Sequence, residues 1–352
     1  MHHSRTILAL AAAALLAPAI GHAQSNVTIY GSIDGGLRYQ TKVDAAGHGL
    51  QSATTGNYYS NRLGFRGTEQ ISKDLQVHFQ LESGFNVKTG ELDNTNGVLF
   101  NRTAAVGFGG DWGALDLGRQ YTVAFKTEKF LDPFDHNYTG LVPLSSGAGT
   151  TLPAAAKTAG LSASSSSGTR FNNDIQYAGS FGGFILRAEY APGEVAGDAQ
   201  KGTARAVAAS YTGAQLLAAG AYTHKETPTG FANAAWVAGG GVKLMDITAK
   251  LAMSRERQDT ATAATFQNTT RFGGVSYQLQ ALNLTAAVYR SAYENGAITG
   301  TRRLVLLGAS YALSKRSNLY GEFDMNRYGG ALIPASKQES QNGVSIGLNH
   351  LF

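Results

Sequence analysis

Strict alternation of apolar and polar residues is the feature of this sequence that most restricts its fold. Within residues 27–39, Val27, Ile29, Ile33 and Leu37 share one parity, while polar or small side chains occupy most of the other. A period of two places the apolar residues on one face of a β-strand. The same pattern recurs in LQVHFQLES (75–83), DITAKLAMS (246–254), NLYGEFDMN (318–326) and VSIGLNHLF (344–352). The polar faces are rich in Thr, Ser, Asn, Gln and Gly, whereas the polar face of a soluble β-sandwich carries many Lys and Glu residues. We therefore expect a sheet with one face toward an apolar medium and the other toward water.

An apolar medium on one side of a sheet has a further consequence for the fold. After the first 24 residues, no run reaches the roughly 18 consecutive apolar residues of a membrane-crossing helix. In hydrocarbon every backbone N–H and C=O must find its partner inside the protein, so a sheet that crosses a bilayer must close. We therefore predict an all-β fold, a transmembrane antiparallel β-barrel. Its last strand should pair with its first and place Phe352 near the membrane interface, where aromatic residues concentrate.

Two kinds of connection separate the predicted strands. Tight turns and longer polar segments alternate, which predicts short periplasmic turns at one end of the barrel and long extracellular loops at the other. Seven turns and eight loops join about sixteen strands. The predicted turns are 71–73, 110–112, 181–183, 213–214, 244–246, 280–282 and 314–317, and the predicted loops are 41–57, 87–98, 121–168, 192–202, 225–234, 257–266, 295–300 and 329–341.

Composition excludes several classes of protein. Of 352 residues, 43% are hydrophobic and 15% charged, which is too apolar for a disordered chain. The absence of Cys excludes disulfides and thiolate metal sites. The histidines are scattered without the spacing of a metal motif, so we predict neither a metal nor a cofactor. The formal net charge of +5 is mild and does not indicate binding to nucleic acid.

The first residues of the chain have the layout of a secretory signal. Arg5 gives a basic start, an apolar run extends from Ile7 to about Leu16, and small residues lead to Ala23. The apolar run is shorter than the roughly 20 residues that a membrane-spanning helix needs. We therefore predict a cleavable signal peptide at residues 1–23 and a single barrel domain at residues 24–352.

Eight segments, in order along the chain, carry a resemblance to a known family. They are VTIYGSIDGG, RLGFRGTEQI, FQLESGFNVKTG, LFNRTAAVGFGGDWGALDLGRQYT, DPF, NNDIQYAGSFGGF, YALSKRSNLY and the terminal GLNHLF. Together they resemble the neisserial and Burkholderia-type general diffusion porins of Gram-negative bacteria. The resemblance implies a water-filled channel of the cell outer membrane that passes ions and small hydrophilic solutes by passive diffusion. It also implies a homotrimer surrounded by outer-membrane lipids, with a third loop folded into the lumen as a constriction. That loop is 121–168, and we expect Gly31, Gly35, Ala105 and Gly107 to pack between subunits.

Charged residues of the predicted lumen are candidates for the narrowest part of the channel. The resemblance implies that a basic wall faces acidic residues of the third loop, and such opposed charges bias the passage of ions. We expect the basic side to dominate slightly, which gives weak anion selectivity. The predicted constriction residues are Arg62, Arg66, Arg102 and Arg170 on the wall with Glu128, Asp132 and Asp135 in the loop, and Asp34, Arg38 and Glu82 are expected to line the pore.

Two other functions remain open from the sequence. A substrate-specific channel would line its path with stacked aromatic rings or a ladder of one charge, and Tyr30, Tyr320 and the arginines leave that possibility open. An outer-membrane barrel enzyme would need a histidine, an acid and a nucleophile gathered in one place. No spacing in the sequence selects such a group, so we do not predict an enzyme.

Overall fold

The computed structural model of the chain describes residues 26–94, 97–138, 169–259 and 265–352. The predicted signal peptide and residues 139–168 of the predicted constriction loop lie outside these ranges. Most of the described chain is β-strand. No helix within these ranges is both long enough and apolar enough to cross a bilayer.

The strands of the described chain form a single antiparallel sheet that closes on itself. β1 pairs along one edge with β17, and along its other edge with both β3 and β2. β2 and β3 therefore share one strand position of the wall, which residues 56–61 interrupt, and we call each such position a stave. The seventeen strands make a barrel of sixteen staves, as predicted. The strands are β1 (Asn26–Gln40), β2 (Leu50–Thr55), β3 (Arg62–Ser72), β4 (Leu75–Gly84), β5 (Thr103–Gly110), β6 (Gly113–Tyr121), β7 (Arg170–Phe181), β8 (Phe184–Ala191), β9 (Ala204–Thr212), β10 (Leu216–Glu226), β11 (Ala232–Leu244), β12 (Ile247–Gln258), β13 (Phe266–Leu279), β14 (Leu282–Asn295), β15 (Ile298–Ala312), β16 (Ser317–Gly330) and β17 (Ser340–Leu351).

The two ends of the described chain close the barrel. The pairing of β1 with β17 runs from Ser32 opposite Leu351 to Gln40 opposite Gly343. Beyond it, Gly31 and Phe352 exchange two backbone hydrogen bonds of 3.1 and 3.2 Å. The Phe352 ring lies so close to Gly31 that a Cβ there would come within 2.3 Å of it. The predicted pairing of the last strand with the first is confirmed.

The two faces of the wall differ as the alternation predicts. Outward-facing aliphatic side chains are well exposed, for example Leu37 at 64%, Leu251 at 71% and Ile346 at 59%. Neighbouring residues of opposite parity, such as Ser32 and Asn349, are buried on the lumen side. The outer surface is therefore suited to hydrocarbon and much of the inner surface to polar contacts.

The seven tight turns are confirmed, and each contains two to four residues. Two of the predicted loops differ from the structure. Within 41–57, the six residues Leu50–Thr55 extend the barrel wall as β2. Between Asn295 and Ile298 only two residues connect β14 to β15, and Gly296 takes the left-handed φ of 60° that such a hairpin turn requires. The expectation of a long loop at 295–300 was wrong.

The main apolar core lies inside the barrel, against one side of the lumen. It joins the segment that follows β6 to lumen-facing residues of β9–β16, a side on which Ala, Val, Leu and aromatic residues replace polar ones. This apolar part of the lumen was not expected from the sequence. The buried members of the cluster are Val123, Leu131, Phe134, Tyr138, Ala206, Ala208, Ala219, Ala221, Val237, Ala252, Phe272, Ala287, Tyr289, Leu304, Leu306 and Tyr320.

Gly31→Ala should weaken closure of the barrel. The new methyl group would lie 2.3 Å from the Phe352 ring and 2.5 Å from the backbone oxygen of Arg62. Because a backbone atom cannot swing aside, we expect a loss of about 1–3 kcal/mol in the free energy of unfolding. The temperature at which the folded band unfolds in gel electrophoresis measures this change.

Gly321→Ala is the matched control, since the nearest heavy atom to its Cβ position is 4.0 Å away. Its unfolding temperature should equal that of the unchanged protein. Equal unfolding temperatures for both variants would contradict the close approach at Gly31.

Candidate functional site inside the barrel

The chain leaves β6 and enters the lumen as a short helix, α1 (Val123–Leu131). Thr122 caps the helix, because its hydroxyl accepts a hydrogen bond of 3.2 Å from the backbone N–H of Phe125. The carboxylate of Glu189 on β8 accepts a 3.3 Å bond from the backbone N–H of Val123. The first N–H groups of a helix have no partner within the helix, so an acceptor oxygen there satisfies one of them. Glu189 therefore ties the start of α1 to the lumen wall.

One face of α1 is buried against the wall formed by β8–β12. Val123 and Leu131 are fully buried in a cluster with Ala208, Ala221 and Val237. Burying an aliphatic side chain of this size contributes about 1.5–3 kcal/mol. The alanines leave room for the helix to approach the wall closely, so the helix fills part of the lumen.

Polar contacts hold the segment after α1 to the far wall. The Asp132 carboxylate accepts a 2.5 Å bond from the hydroxyl of Tyr289, and its backbone oxygen accepts a 2.9 Å bond from Lys250. Lys250 also forms an ion pair of 2.8 Å with Asp135. The Tyr138 hydroxyl donates to a backbone oxygen of β15 at 3.0 Å. The described part of the loop thus reaches from β6 to β15 across the inside of the barrel.

The interruption between β2 and β3, residues 56–61, also reaches the lumen. Three backbone N–H groups of this stave break donate to the Asp34 carboxylate, at 2.8, 3.2 and 3.5 Å. The Tyr58 ring stacks on Tyr320 at 5.2 Å and meets the edge of Tyr138 at 4.8 Å. Tyr58 also accepts a 3.1 Å backbone bond from Tyr138. The stave break and the loop therefore hold each other in place.

Three of the four predicted wall arginines converge where the loop begins, and we call Arg62, Arg102 and Arg170 the arginine cluster. Arg102 bonds to the Glu82 carboxylate at 2.8 Å, and Arg62 approaches the same carboxylate at 3.6 Å. The Tyr121 hydroxyl accepts bonds from Arg102 at 2.6 Å and Arg170 at 2.5 Å. One carboxylate and one phenol therefore connect all three guanidinium groups. Their role in conduction stays a prediction.

Arg66 lies apart from the arginine cluster. It follows Arg62 by four residues on β3, toward the periplasmic turn, and its guanidinium lies 5.1 Å from the centre of the Tyr30 ring. Four residues of strand correspond to about 13 Å. The structure therefore places Arg66 in the periplasmic part of the lumen.

The three loop acids occupy different environments. Glu128 and Asp132 are 1% and 0% exposed, whereas the side chain of Asp135 is 61% exposed. Burial, together with the charge of nearby Glu256, raises the pKa of Glu128 well above its usual range. Burial raises the pKa of Asp132 to about 6. Both groups are shifted toward the neutral form, and Asp135 is the loop acid most open to the channel.

The predicted pore-lining residues face the lumen but are engaged by neighbours. Arg38 bonds to Asp324 at 2.6 Å and lies 3.7 Å from Glu322. Asp34 holds the stave break, and Glu82 binds the arginine cluster. All three are at most 9% exposed. They set the charge of the wall while making little direct contact with the open channel.

A basic cavity below the loop was not predicted. It has a volume of about 610 Å³ and lies between the segment after α1 and the periplasmic turns. The charged residues of its lining are Lys243, Lys250, Lys315, Arg316 and Asp135, four basic and one acidic. Lys243 and Lys250 alternate with outward-facing apolar residues of β11 and β12, so their parity in the sequence could have revealed them.

Comparison with known proteins adds evidence from sequence. Residues 9–331 match the family described as Gram-negative porin. The outer membrane porin protein 32 of Delftia acidovorans is 28% identical, over 97% of this chain and 99% of its own length. An outer membrane porin protein of Bordetella pertussis is 41% identical over 140 residues, which span 36% of each chain.

Solved structures share the architecture of the barrel. An anion-selective porin from Comamonas acidovorans superposes with a TM-score of 0.76 at 23% identity, over 93% of this chain and all of that one. The trimer form of OmpT from Vibrio cholerae gives a TM-score of 0.69 at 15% identity, over 93% and 99% of the two chains. At these identities the likeness concerns the fold.

Glu82→Gln should destabilise the barrel near the arginine cluster. The change would leave two closely held guanidinium groups without their shared carboxylate. Removing one partner of a buried ion pair costs about 3 kcal/mol or more. We expect that loss in the free energy of unfolding, measured by denaturation in urea with tryptophan fluorescence.

Glu69→Gln provides the control on the same hairpin, because Glu69 is exposed near the periplasmic turn. Its unfolding free energy should change by less than about 0.5 kcal/mol. A similar loss in both variants would show that Glu82 has no special place in the cluster.

Proposed function

The chain belongs to the Gram-negative porin family and forms a water-filled channel of the outer membrane, and we propose that ions and small hydrophilic solutes diffuse through it passively with a weak preference for anions. The family and the fold are those of channels. We propose that the chain carries out no chemical step and uses no cofactor, so that solutes cross down their concentration gradients.

The unequal exposure of opposite charges along the lumen supports the preference for anions. Of the loop acids, Asp135 is open to the channel and is already paired with Lys250. The arginine cluster holds three cations, and Glu82 and Asp93 are the acids that pair with it. The cavity below the loop adds further basic residues. A modest positive excess on the path attracts anions, and low-dielectric walls strengthen its field.

The aromatic residues support general diffusion over the binding of one substrate. Tyr320 is 5% exposed and lies beneath Tyr58, where it packs against the loop. One face of the Tyr30 ring lies against Gly64, and the Arg66 guanidinium lies 5.1 Å from the ring centre. Because both rings are engaged by the wall, neither offers a free face on which a solute could stack.

Replacing Arg62, Arg102 and Arg170 together with Gln should abolish or reverse the preference for anions. The substitution removes three positive charges and leaves their acidic partners on the path. The reversal potential of single channels in a salt gradient should shift toward that of cations. The shift should be largest near 0.01 M salt, where the Debye length is about 30 Å, and small near 1 M, where it is about 3 Å.

Arg205→Gln is the matched control, because Arg205 faces outward on β9 and bonds to Gln200 near the outer rim. Its reversal potential should equal that of the unchanged channel. A triple variant that also keeps the original reversal potential would refute the role of the arginine cluster. Arg66→Gln measured alongside would show what the periplasmic part of the lumen contributes.

We also propose that the channel assembles as a homotrimer through the outward face of β1–β5. The trimer form of the Vibrio cholerae structure supports this assembly, and so does the exposed apolar surface that includes Ile33, Val106 and Phe108. One part of the expected interface needs correction. Ala105 and Gly107 alternate with the exposed Val106 and Phe108 and therefore face the lumen.

Val106→Glu should favour monomers, since it would bury a carboxylate between subunits. Native mass spectrometry in mild detergent measures the distribution of species. Val275→Glu is the control, because Val275 is comparably exposed, at 47%, and lies on β13, on the opposite side of the barrel from β5. Monomers alone in the unchanged protein would contradict the trimer, and equal dissociation of both variants would contradict this choice of interface.

A further inference from the structure

Four outward-facing arginines form a continuous row across neighbouring strands. Arg271 on β13 lies opposite Arg290 on β14, Arg290 opposite Arg303 on β15, and Arg303 opposite Arg327 on β16. All four side chains are exposed on the outer surface of the barrel. Residues directly opposite each other in antiparallel strands have Cα atoms only about 4.5–5.5 Å apart. We call these residues the arginine row.

The arginine row marks the external boundary of the apolar outer surface. On three of the four strands that carry the row, the outward-facing residue two positions closer to the periplasmic end is apolar. These residues are Val288 on β14, Val305 on β15 and Met325 on β16. Toward the exterior the corresponding residues are small or polar, as with Thr301 on β15. At such a boundary a long arginine side chain can lie along apolar surface while its guanidinium reaches the headgroups of lipids.

The protein supplies little negative charge to this row. Within the described chain, none of the four arginines forms an ion pair. The outward faces of β13–β16 carry one acidic residue, Glu294, which lies opposite Gln267 and Thr299. It is four residues beyond Arg290, or about 13 Å along the strand. Other outward arginines have local partners, as Arg255 has in Gln267 and Arg257 in Asp259.

A row of like charges without counter-charges in the protein is stabilised when an external anion binds to it. Like charges directly opposite each other in a sheet are destabilising, and at the edge of hydrocarbon the cost of an unpaired cation rises. Arginine binds phosphate through two parallel N–H···O bonds. A surface groove of about 480 Å³ runs between these side chains, lined in part by Val288, Arg290, Arg303 and Arg327. The groove therefore places cationic groups beside an aliphatic side chain.

We infer that the arginine row binds the phosphorylated headgroup of an anionic glycolipid in the external leaflet, of the lipid A class. The phosphates accept hydrogen bonds from neighbouring guanidinium groups. The acyl chains lie on the aliphatic surface toward the periplasm. A second copy of this chain fits the surface less well, because its outward faces would have to supply several carboxylates to match the row.

The test compares lipid binding by the full barrel, stripped of lipid in detergent, with that of the double variant R290Q/R303Q. Bisphosphorylated lipid A is the probe, and native mass spectrometry titrations give its affinity. We expect the double variant to bind at least tenfold more weakly. Arg205→Gln, an outward arginine with its own partner Gln200, should bind as the unchanged protein does. Unaltered gel mobility and single-channel conductance would show that the double variant is folded.

Three further measurements separate the alternatives. Dephosphorylated lipid A should bind the unchanged barrel as weakly as the phosphorylated form binds the double variant, and equal binding of both lipids would overturn the proposal. Inorganic phosphate should fail to displace the lipid, since it lacks acyl chains; displacement at equal concentration would overturn the lipid assignment. Dissociation of the oligomer in the double variant, with lipid affinity unchanged, would assign the row to a subunit contact instead.

Discussion

Hydrocarbon offers no hydrogen-bond partner to an unpaired backbone group, and the whole wall of this protein depends on that constraint. Strands that face lipid must be satisfied by other strands, so the sheet has to close. The paired hydrogen bonds between Gly31 and Phe352 complete that closure. The close fit of the Phe352 ring against Gly31 shows a ring occupying the space that a side chain would otherwise fill, a common way to protect a glycine in a sheet.

Closing the wall creates an interior that contains water, in which a loop needs its own means of attachment. Fixing a segment in one conformation costs about 1–2 kcal/mol per residue in backbone entropy. Here an apolar area of the lumen wall supplies the compensation, because Val123 and Leu131 pack on Ala208, Ala221 and Val237. On β9–β11 both faces of the wall are thus partly apolar. The outward face meets lipid, and the inward face meets the protein's own loop.

The parts of the structure that depend on local pattern could be predicted from the sequence. Parity assigned Leu37 and Ile346 to the outer surface, and the tight turns gave the number of staves. The stave break, the docking of α1 and the burial of Asp132 depend on partners far away along the chain. Asp132 bonds to Tyr289, 157 residues later, and Asp34 to Tyr320, 286 residues later. No local period records such contacts. The convergence of the arginines was expected from family resemblance, since parity alone could place them only on the lumen side.

The mutual hold between Tyr58 and Tyr138 has a consequence for how channels of this shape can diverge. Two segments from different parts of the chain meet inside the lumen at this contact, and one of them belongs to the wall. Exchanging the loop alone between related barrels would leave Tyr138 without the ring and the carbonyl that receive it. A transferable unit of the lumen therefore comprises the loop together with the stave break, and the two must change together.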